Sequence, residues 1–450
     1  MMKDISRLFI PLAGVIVLLL AGCSDTSENQ EEADADAGST GSDETITLGY
    51  YSSGSADEKM EDIISQFEEE HPDITIETQN SPYQQFFQKL DTQIAGGNAP
   101  DVWLSDGVFV QKYAERGAAK DLTEWIDNDL KTDEYYGLDF NKGPEGKYWA
   151  VPQGIQIGAL FYNKDMFDKA GVEYPDDSWT WEDLKEAGAE LTLDTNGNTA
   201  ENAEFNAENI NQYGLTFFNI TEGWMPVLKS YGGGVLDEDL QTSVIDTPEN
   251  LEAVEYMTDG MERGIFTDPS DLQAFQSPMS PFPSETAAMR IGIYARTLAA
   301  NETGVNYDVT VLPKGPDGER FSPVIANSWI INEDTSDAKA EAAWEWIKYW
   351  VSEDDVQRQW AELGEAVPVK KSVANSDMFL NSGEKPENKQ AFLDSFEFAD
   401  TLDVNAVWSE WVDQMTDNLN KTFLNEVEEE EALESADKDV QQVLDEFYED

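Results

Sequence analysis

The stretch that decides the fold runs from residue 44 to residue 105: ETITLGYYSSGSADEKMEDIISQFEEEHPDITIETQNSPYQQFFQKLDTQIAGGNAPDVWLS. Apolar and polar residues alternate from Ile46 to Tyr50, which predicts a β-strand. Between Met60 and Phe67, four apolar residues follow the i, i+3, i+4, i+7 spacing of one helix face. His71 and Pro72 then end that helix. The stretch therefore opens with a strand followed by a helix.

The same pattern repeats immediately downstream. The segment DITIET, residues 73–78, alternates as a second strand, and a second helix is predicted from about Tyr83 to Ile94. The glycines of GGNAP end this helix, and DVWL, residues 101–104, begins a third strand. Strands that alternate with helices are typical of a parallel sheet with crossover helices. The fold class is therefore predicted to be α/β.

An apolar segment precedes this region at the N-terminus. Residues 8–21 carry no charge and follow Lys3 and Arg7, as in a signal peptide, and the segment is shorter than the ~20 residues of a membrane span. Leu20-Ala21-Gly22-Cys23 resembles the bacterial lipobox, in which the chain is cut before the cysteine and the thiol receives a diacylglycerol. We therefore expect a lipoprotein signal peptide over residues 1–22 and lipidation of Cys23, the only cysteine.

The segment after the cysteine is polar and acidic. Residues 23–44 contain few groups that a core could bury, so we expect a disordered linker. It would hold the globular part on the extracytoplasmic face of the cell membrane, tethered through Cys23. About 400 residues remain beyond the linker, which suggests more than one domain, because single cores stop growing at roughly 250–300 residues.

The charge of the chain excludes one class of partner. There are 92 acidic and 28 basic residues, giving a net charge of −64, so nucleic acid would be repelled. This charge predicts an acidic, solvated surface, which suits surroundings of high salt.

Residues for catalysis are scarce in the sequence. His71 is the only histidine, and no GxSxG motif accompanies it, so a nucleophilic triad and a His/Cys metal site are not expected. The loop DTNGNTAEN, starting at Asp194, matches a calcium loop in part, but a plain turn is the preferred interpretation. Two of the 92 carboxylates could form a glycosidase pair, which the sequence cannot single out. We predict a protein that is not an enzyme and has no cofactor or bound metal.

Aromatic residues outside the predicted helices stand beside amides and acids. The relevant stretches are GYYSSG, DVWLSDG, VPQGIQIG, TEGWMP, IGIYARTL and IANSWII. Flat rings pack on the C–H faces of a pyranose, and amides or carboxylates bind its hydroxyl groups. Each ring taken singly is more often part of a core. As a set near strand ends, where α/β proteins bind ligands, these stretches indicate a sugar site.

The same stretches resemble one protein family. FFQKLDTQIAGGNAPDVWLSDGVFVQKYAERGAAKDLTEW and GKYWAVPQGIQIGALFYNKDMFDKAGVEYPDDSWTWEDL are similar to the extracellular solute-binding proteins of ABC importers, in the carbohydrate group that includes maltose-binding protein. YGGGVLDED, AAMRIGIYARTL, VTVLPKGPDGERFSPVIANSWIIN and AAWEWIKYWVSEDDVQRQWAELGEAVPVKKSV follow in the family order. The resemblance covers the chain from about Ile46 to its end.

The resemblance implies a two-lobe fold of the periplasmic-binding-protein type, each lobe a mainly parallel sheet flanked by helices. Residues 45–153 plus 325–366 would form the N-terminal lobe, and residues 154–324 plus 367–450 the C-terminal lobe. Hinge strands would join the lobes, which would close on a ligand between them. The implied partners are a small carbohydrate and the transmembrane subunits of an ABC permease, and the chain would act as a monomer.

The resemblance also implies ligand-binding residues. Those of the N-terminal lobe and the hinge segments are Tyr51, Ser52, Trp103, Asp106, Gln153, Gln156, Asn327, Trp329 and Glu365. Those of the C-terminal lobe are Trp224, Tyr294, Arg296 and Trp408. The acid at 106 would accept hydroxyl hydrogens, and Trp224, Tyr294 and Trp408 would stack on the sugar. The family often has an acid near position 156 and another residue type at 296, so these two positions depart from its pattern.

Several functions remain open at this point. The leading hypothesis is a lipid-anchored receptor that delivers a mono- or oligosaccharide to a permease. The same scaffold could bind another polar solute, such as a polyol or a glycoside. A surface glycoside hydrolase and a purely adhesive lipoprotein are the alternatives of other classes.

Overall fold

The computed structural model of the protein describes residues 44–52, 54–143, 146–275, 277, 279–381 and 383–448. The predicted signal peptide, Cys23 and nearly all of the acidic linker lie outside the described residues. Among the helices of the described part, none has both the length and the apolar character that crossing a membrane requires.

The described residues form ten strands. They are β1 (Glu44–Tyr51), β2 (Ile74–Ser81), β3 (Val102–Ser105), β4 (Val151–Asn163), β5 (Leu193–Asp194), β6 (Ile210–Thr216), β7 (Ala287–Ile293), β8 (Tyr307–Thr310), β9 (Ser322–Ile331) and β10 (Ala399–Asp400). They pair in the order β2-β1-β3-β9-β4-β7-β6-β5, with β8 beside β4 and β10 beside β9.

Two groups of parallel strands define two lobes. In the first lobe β1 pairs in parallel with β2 and β3, and in the second lobe β6 pairs in parallel with β7. The long strands β4 and β9 lie between these groups and run antiparallel to each other and to their neighbours β3 and β7. The predicted α/β class with two lobes is confirmed. Antiparallel pairs involve the connecting strands β4 and β9, and in the second lobe also β5 with β6 and β8 with β4.

Helices cover the sheet in both lobes. Those of the described residues are α1 (Ser55–Glu70), α2 (Tyr83–Ala95), α3 (Val110–Glu115), α4 (Thr123–Asp129), α5 (Lys164–Ala170), α6 (Trp181–Leu191), α7 (Thr221–Ser230), α8 (Pro248–Glu262), α9 (Pro269–Leu272), α10 (Arg296–Thr303), α11 (Asp337–Ser352), α12 (Asp354–Ala361), α13 (Lys371–Ala374), α14 (Asp377–Leu380), α15 (Gln390–Asp394), α16 (Trp408–Phe423) and α17 (Glu429–Tyr448). Short 3₁₀ turns lie at Gly107–Phe109, Thr132–Glu134, Leu138–Asn141 and Ser395–Phe398.

The helix boundaries follow from local sequence signals. The apolar face of α1 predicted from Met60 to Phe67 is buried in the first lobe. Thr180 caps α6, where its hydroxyl accepts from the Asp183 N–H and the Asp183 carboxylate accepts from the Thr180 N–H. Gly171 ends α5 at φ 74°, a left-handed conformation that glycine adopts without a steric cost.

Three chain segments lie side by side where the lobes meet. All thirteen residues of β4 are buried, because neighbouring elements cover both of its faces. Ile155 of β4 pairs with Ala326 of β9 on one side and exchanges two backbone hydrogen bonds with Val367 on the other. These are the segments in which the lobes were predicted to join. The residues at which one lobe ends and the other begins stay a prediction.

Indole rings of α11 hold β9 from the first-lobe side. The Trp329 ring centroid lies 5.7 Å from that of Trp346 and 5.3 Å from that of Trp350. The Trp350 Nε1–H donates to the Gln153 carbonyl oxygen at 2.9 Å, which ties α11 to β4 as well. The segments that join the lobes therefore rest on a rigid aromatic core.

Candidate functional site

A cavity of about 560 Å³ lies against these connecting segments, between the two lobes. This volume is within the range of about 300–1,000 Å³ of small-molecule sites in proteins. Its walls are formed by Tyr51, Ser52, Ala56, Pro82, Tyr83, Leu104, Asp106, Gln153, Gln156, Glu222, Ile293, Ala295, Arg296, Ile325, Asn327, Trp360, Glu365 and Ala366. We call Tyr51, Tyr83 and Asp106 the first-lobe wall, and Glu222, Ala295 and Arg296 the second-lobe wall.

The cavity brings together eight of the thirteen residues predicted to bind ligand. These are Tyr51, Ser52, Asp106, Gln153, Gln156, Arg296, Asn327 and Glu365. They come from the ends of β1 and β3, from β4 and β9, from the start of α10 and from the segment after α12. Residues distant in sequence thus meet where parallel strands end and connecting strands begin.

Four predicted aromatic residues do not reach the cavity surface. Trp103, Trp224 and Trp329 have no exposed area, and Tyr294 retains 2%. Trp103 packs in the aromatic core of the first lobe and Trp224 in the core of the second lobe. Tyr294 packs against Phe392 and lines a different cavity. The expectation that Trp224 and Tyr294 stack on the ligand is wrong for this structure, because both rings face inward.

Trp408 lies at the start of α16, outside the walls of the cavity. It is half-buried, and its ring centroid is 6.2 Å from that of Phe109 in the first lobe. A series of close ring pairs connects it to the cavity: Phe109 with Phe87 at 4.9 Å, Phe87 with Tyr83 at 5.0 Å, and Tyr83 with Tyr51 at 5.1 Å. Trp408 is therefore placed at the far end of an aromatic series that begins in the cavity.

Tyr83 provides the exposed ring of this series, and the sequence analysis did not select it. Its side chain is 43% exposed, although Tyr51 and Phe87 pack edge-on against it. Its hydroxyl donates to the Asp106 carboxylate at 2.8 Å. An exposed ring that lines the cavity and is held by neighbouring rings is suited to packing on an apolar ligand face. The sequence signal that could have identified Tyr83 is its position directly after β2, the second parallel strand.

Asp106 is held by the turn that follows β3. It caps the 3₁₀ turn Gly107–Phe109, where its carboxylate accepts from the Val108 N–H at 3.2 Å. Burial raises the pKa of Asp106, and the hydrogen bonds from Tyr83 and Val108 oppose that rise. The carboxylate retains acceptor capacity for ligand hydrogens, since an ionised carboxylate has about four lone-pair sites.

Gly107 allows this turn to pack directly on β9. A Cβ atom at position 107 would lie 2.7 Å from the backbone nitrogen and oxygen of Ala326, closer than such atoms approach. The Gly107 N–H also donates to the Asn327 side-chain oxygen at 3.3 Å. The acid of the first-lobe wall is thereby positioned by a strand that connects the lobes.

The second-lobe wall is an ion pair. Glu222, in the first turn of α7, accepts from Arg296 at 2.7 Å through Nη2 and at 3.3 Å through Nε. Both side chains are largely buried, with 11% and 27% exposure. This two-point geometry fixes the guanidinium plane and leaves donors and acceptors side by side at the cavity surface. Glu222 was missed because the sequence analysis chose Trp224, two residues later.

Gln156 connects the second lobe to the hinge region. Its side-chain oxygen accepts from the Ala295 N–H at 2.8 Å, and its Nε2 donates to the Glu365 carbonyl at 2.7 Å. The amide thus supplies a donor and an acceptor, and the acid often found near this position in the family could not make both bonds when ionised.

Three donors at the cavity wall have no hydrogen-bond partner among the described residues. They are the Tyr51 hydroxyl, the Gln153 Nε2 and the Trp360 Nε1. A buried polar group without a partner costs roughly 1–3 kcal/mol, so such groups in a native site indicate a missing partner. Trp360 was not among the residues selected from the sequence. A ligand rich in oxygen atoms would satisfy all three donors.

The remaining candidates for chemistry have structural roles. The His71 ring stacks on Phe67 at 4.5 Å, at the end of α1. Asp194 accepts from the backbone N–H groups of Asn196, Asn198 and Asn206 and from the Asn198 side chain, which lowers its pKa to about 2. The loop is therefore a hydrogen-bonded turn. Across the described ranges, no group of three or more histidine, cysteine or acidic residues could hold a metal ion.

Comparison with known proteins gives consistent results. The sequence profile of the family "Bacterial extracellular solute-binding protein" matches residues 51–357. The galactooligosaccharide-binding protein of Bacillus subtilis is 23% identical over 414 residues, covering 88% of each chain. An ABC substrate-binding protein from Listeria monocytogenes, solved in complex with cycloalternan, is 26% identical with a TM-score of 0.76, covering 88% of this chain and 98% of that one.

A second solved structure has the same fold. It is an ABC transporter solute-binding protein from Thermotoga lettingae bound with α-D-tagatose, with a TM-score of 0.73 and 23% identity, covering 89% of this chain and 99% of that one. The family match extends over more than half of the chain, and it includes Tyr51, Asp106, Gln156 and Arg296 of the cavity wall. The chain therefore belongs to the bacterial extracellular solute-binding protein family.

Proposed function

We propose that the protein captures a carbohydrate in the interlobe cavity and delivers it unchanged to an ABC permease. One observation carries the proposal: the exposed Tyr83 ring lies against the Asp106 carboxylate, in a cavity with three donors that lack partners in the described part of the chain. A sugar offers a C–H face to the ring, hydroxyl hydrogens to the acid and oxygen atoms to the donors. Relatives named as sugar-binding proteins support the same substrate class.

The test is isothermal titration calorimetry against a panel of mono- and oligosaccharides, with polyols, glycosides, amino acids and short peptides in the same panel. We expect saturable binding of at least one sugar, and no product after prolonged incubation. Small-angle scattering with that sugar should give a smaller radius of gyration, because ligand draws the two lobes together. Binding of a peptide or an amino acid with silence toward every sugar would reject the substrate class.

A polyol is the second candidate, and one feature of the site favours it. The second-lobe wall offers the Glu222–Arg296 pair in place of an aromatic face, and this pair can bind adjacent hydroxyl groups on a flexible chain. A relative in Mycolicibacterium smegmatis is named as an erythritol/L-threitol-binding protein, at 24% identity over 67% of this chain. Tighter binding of a polyol than of any cyclic sugar would favour this candidate.

We further propose that the receptor is a monomer tethered to the cell membrane by a lipid on Cys23, with the acidic linker as spacer. The lipobox-like sequence LAGC and the position of the only cysteine support this proposal. Cys23→Ala should release the protein into the medium, as measured by fractionation. A variant that stays fully in the membrane fraction would count against the lipid anchor.

A further inference from the structure

The described lining of the cavity contains more acidic than basic side chains. Asp106, Glu222 and Glu365 line it, whereas Arg296 is the one basic residue among its described lining residues. The Arg296 guanidinium is already bound to both oxygens of Glu222. Asp106 and Glu365 therefore face the cavity without a cationic side chain at ion-pair distance in the described part of the protein.

A second arginine lies behind the second-lobe wall. Arg290 of β7 is 5% exposed, and its guanidinium donates to the carbonyl oxygen and sulfur of Met279. Its charged neighbours are Arg296 and Glu222, on the second-lobe side. With this residue counted, the second-lobe side carries a net positive charge and the opposite side, with Asp106 and Glu365, a net negative charge. The excess of acid is thus confined to one side of the cavity.

The backbone at Glu365 is held in place by contacts with β4. Its backbone oxygen accepts from Gln156, and the next residue, Ala366, packs against Gly154 so closely that a Cβ there would lie 2.5 Å from the Ala366 Cβ. No described residue bonds to its carboxylate, and burial raises its pKa. The Tyr51 hydroxyl and Gln153 Nε2, which have no hydrogen-bond partner among the described residues, line the same cavity. Position 365 thus offers a fixed, partly desolvated acceptor.

From this imbalance we propose that the solute is a carbohydrate with a basic nitrogen, an amino- or imino-sugar unit whose ammonium group is bound by Glu365 on the Asp106 side of the cavity. The inference rests on the proposed function and names the substrate class more closely. An ammonium group supplies up to three donors and neutralises a carboxylate that lacks a counter-ion, whereas a hydroxyl supplies one donor and no charge. Uronates and sugar phosphates would be repelled by the same two acids.

The experiment compares matched sugars that differ in one group. Calorimetry at neutral pH and low salt would use triplets of neutral sugar, amino sugar and uronate, in the gluco, galacto and manno series, and the glucosamine dimer against cellobiose. In at least one series we expect the amino member to bind about tenfold more tightly than the neutral one, because charge-assisted hydrogen bonds are roughly twice as strong as neutral ones. The uronate should not bind, and added salt should reduce the preference.

Two variants assign the preference to one residue. Glu365→Gln keeps the side-chain shape and removes the charge, so it should bind the amino and neutral members of each series with equal affinity. Glu362→Gln is the matched control, since Glu362 is exposed, pairs with Arg358 and lies outside the cavity lining; it should keep the preference. Thermal denaturation would verify that both variants are folded.

The outcomes separate the two proposals. Equal affinity of neutral and amino members in every series, or an amino preference that persists in Glu365→Gln, would overturn the inference and leave the proposed function standing. If no sugar of any kind binds the wild-type protein, the proposed function fails with it. The triplet comparison on wild-type protein tests the substrate class even if a variant does not fold.

Discussion

The first lobe presents an exposed ring and an acid to the cavity, whereas the second lobe presents an ion pair and keeps its large rings inside. Tyr83 is 43% exposed, and Trp224 has no exposed area. The reason is where the aromatic residues stand: Tyr83 follows a strand end at the start of α2, while Trp224 lies within α7, whose residues are nearly all buried. Similar side chains thus line the cavity in one lobe and stabilise the core in the other. Substitutions at Trp224, Arg296, Asp106 and Tyr83 would break or sharpen this contrast.

The largest effect is expected from Trp224→Ala. Removing a fully buried indole from the second-lobe core leaves a cavity and should lower the free energy of unfolding by about 3–5 kcal/mol. Urea denaturation measures this loss. The dissociation constant for the solute, measured where the variant is folded, should change only a few-fold. A large loss of affinity with little loss of stability would mean that Trp224 reaches the solute.

Arg296→Leu should have the next largest effect. It leaves Glu222, which is 8% exposed, without its counter-ion. Breaking a buried pair costs about 3–5 kcal/mol, and we expect about 3 kcal/mol because Arg296 is partly screened by solvent. The double variant Glu222→Gln/Arg296→Leu is the control and should be more stable than the single variant in urea. If both variants are equally destabilised, the unpaired charge of Glu222 is not the cause of the lost stability.

Asp106→Asn tests the acid of the first-lobe wall. Losing a charge-assisted hydrogen bond of about 1.5–3 kcal/mol should weaken solute binding by roughly tenfold to a hundredfold in calorimetry. Wild-type affinity should also fall as the pH drops through the raised pKa of Asp106, because the protonated acid accepts less well. The Asn variant should lack this part of the pH dependence. An identical pH profile in both proteins would contradict the assignment.

The same substitution should affect stability in the opposite direction. A folded-state pKa above the unfolded value means that the folded protein binds more protons between the two values, so stability falls as the pH rises through that window. At neutral pH the buried charge of Asp106 is unfavourable, and Asp106→Asn should be as stable as the wild type or more stable. The free energy of unfolding of the wild type and of Asp106→Asn would be measured from acid to neutral pH. The difference between the two proteins isolates the contribution of Asp106 from that of the other carboxylates.

Tyr83 should give the smallest effect. Tyr83→Ala removes the exposed ring and should weaken binding by about 1 kcal/mol, or roughly fivefold. Tyr83→Phe keeps the ring and loses only the hydrogen bond to Asp106, so its affinity should lie between the wild type and Tyr83→Ala. Calorimetry with one solute compares all three. Equal solute affinities of Tyr83→Ala and the wild type would mean that the solute does not stack on the Tyr83 ring.

The sequence was sufficient to predict the α/β class and two residues of the first-lobe wall, Tyr51 and Asp106. It was not sufficient to predict Tyr83 or Glu222. Alternating apolar residues and helical spacing are strong signals, and β1, α1, β2, α2 and β3 lie where they predict. Tyr51, Ser52 and Asp106 were predicted from the family resemblance, and they lie just after strand ends, where α/β proteins bind ligands.

For the aromatic residues, the sequence did not predict which side chains face the cavity. In β3 all four residues are buried, so alternation carries no information about which side Trp103 faces. Trp224 and Glu222 are two residues apart on a helix, and their sequence does not say which of them faces the cavity. Glu222 could be recognised only with Arg296, 74 residues later, in contact with it. Such pairings depend on long-range packing that one sequence does not display.

The close approach of Gly107 to Ala326 has a consequence for how the protein can diversify. A saturation library of the cavity region should accept glycine alone at position 107, since any side chain there would meet the peptide backbone of β9. Position 83 differs, because the Tyr83 side chain is exposed and lines the cavity, so it can be exchanged to suit a new solute. The tolerance map of such a library would then show one invariant position next to a replaceable contact, and an engineer designing a biosensor could alter the contact without disturbing the packing of the turn on β9.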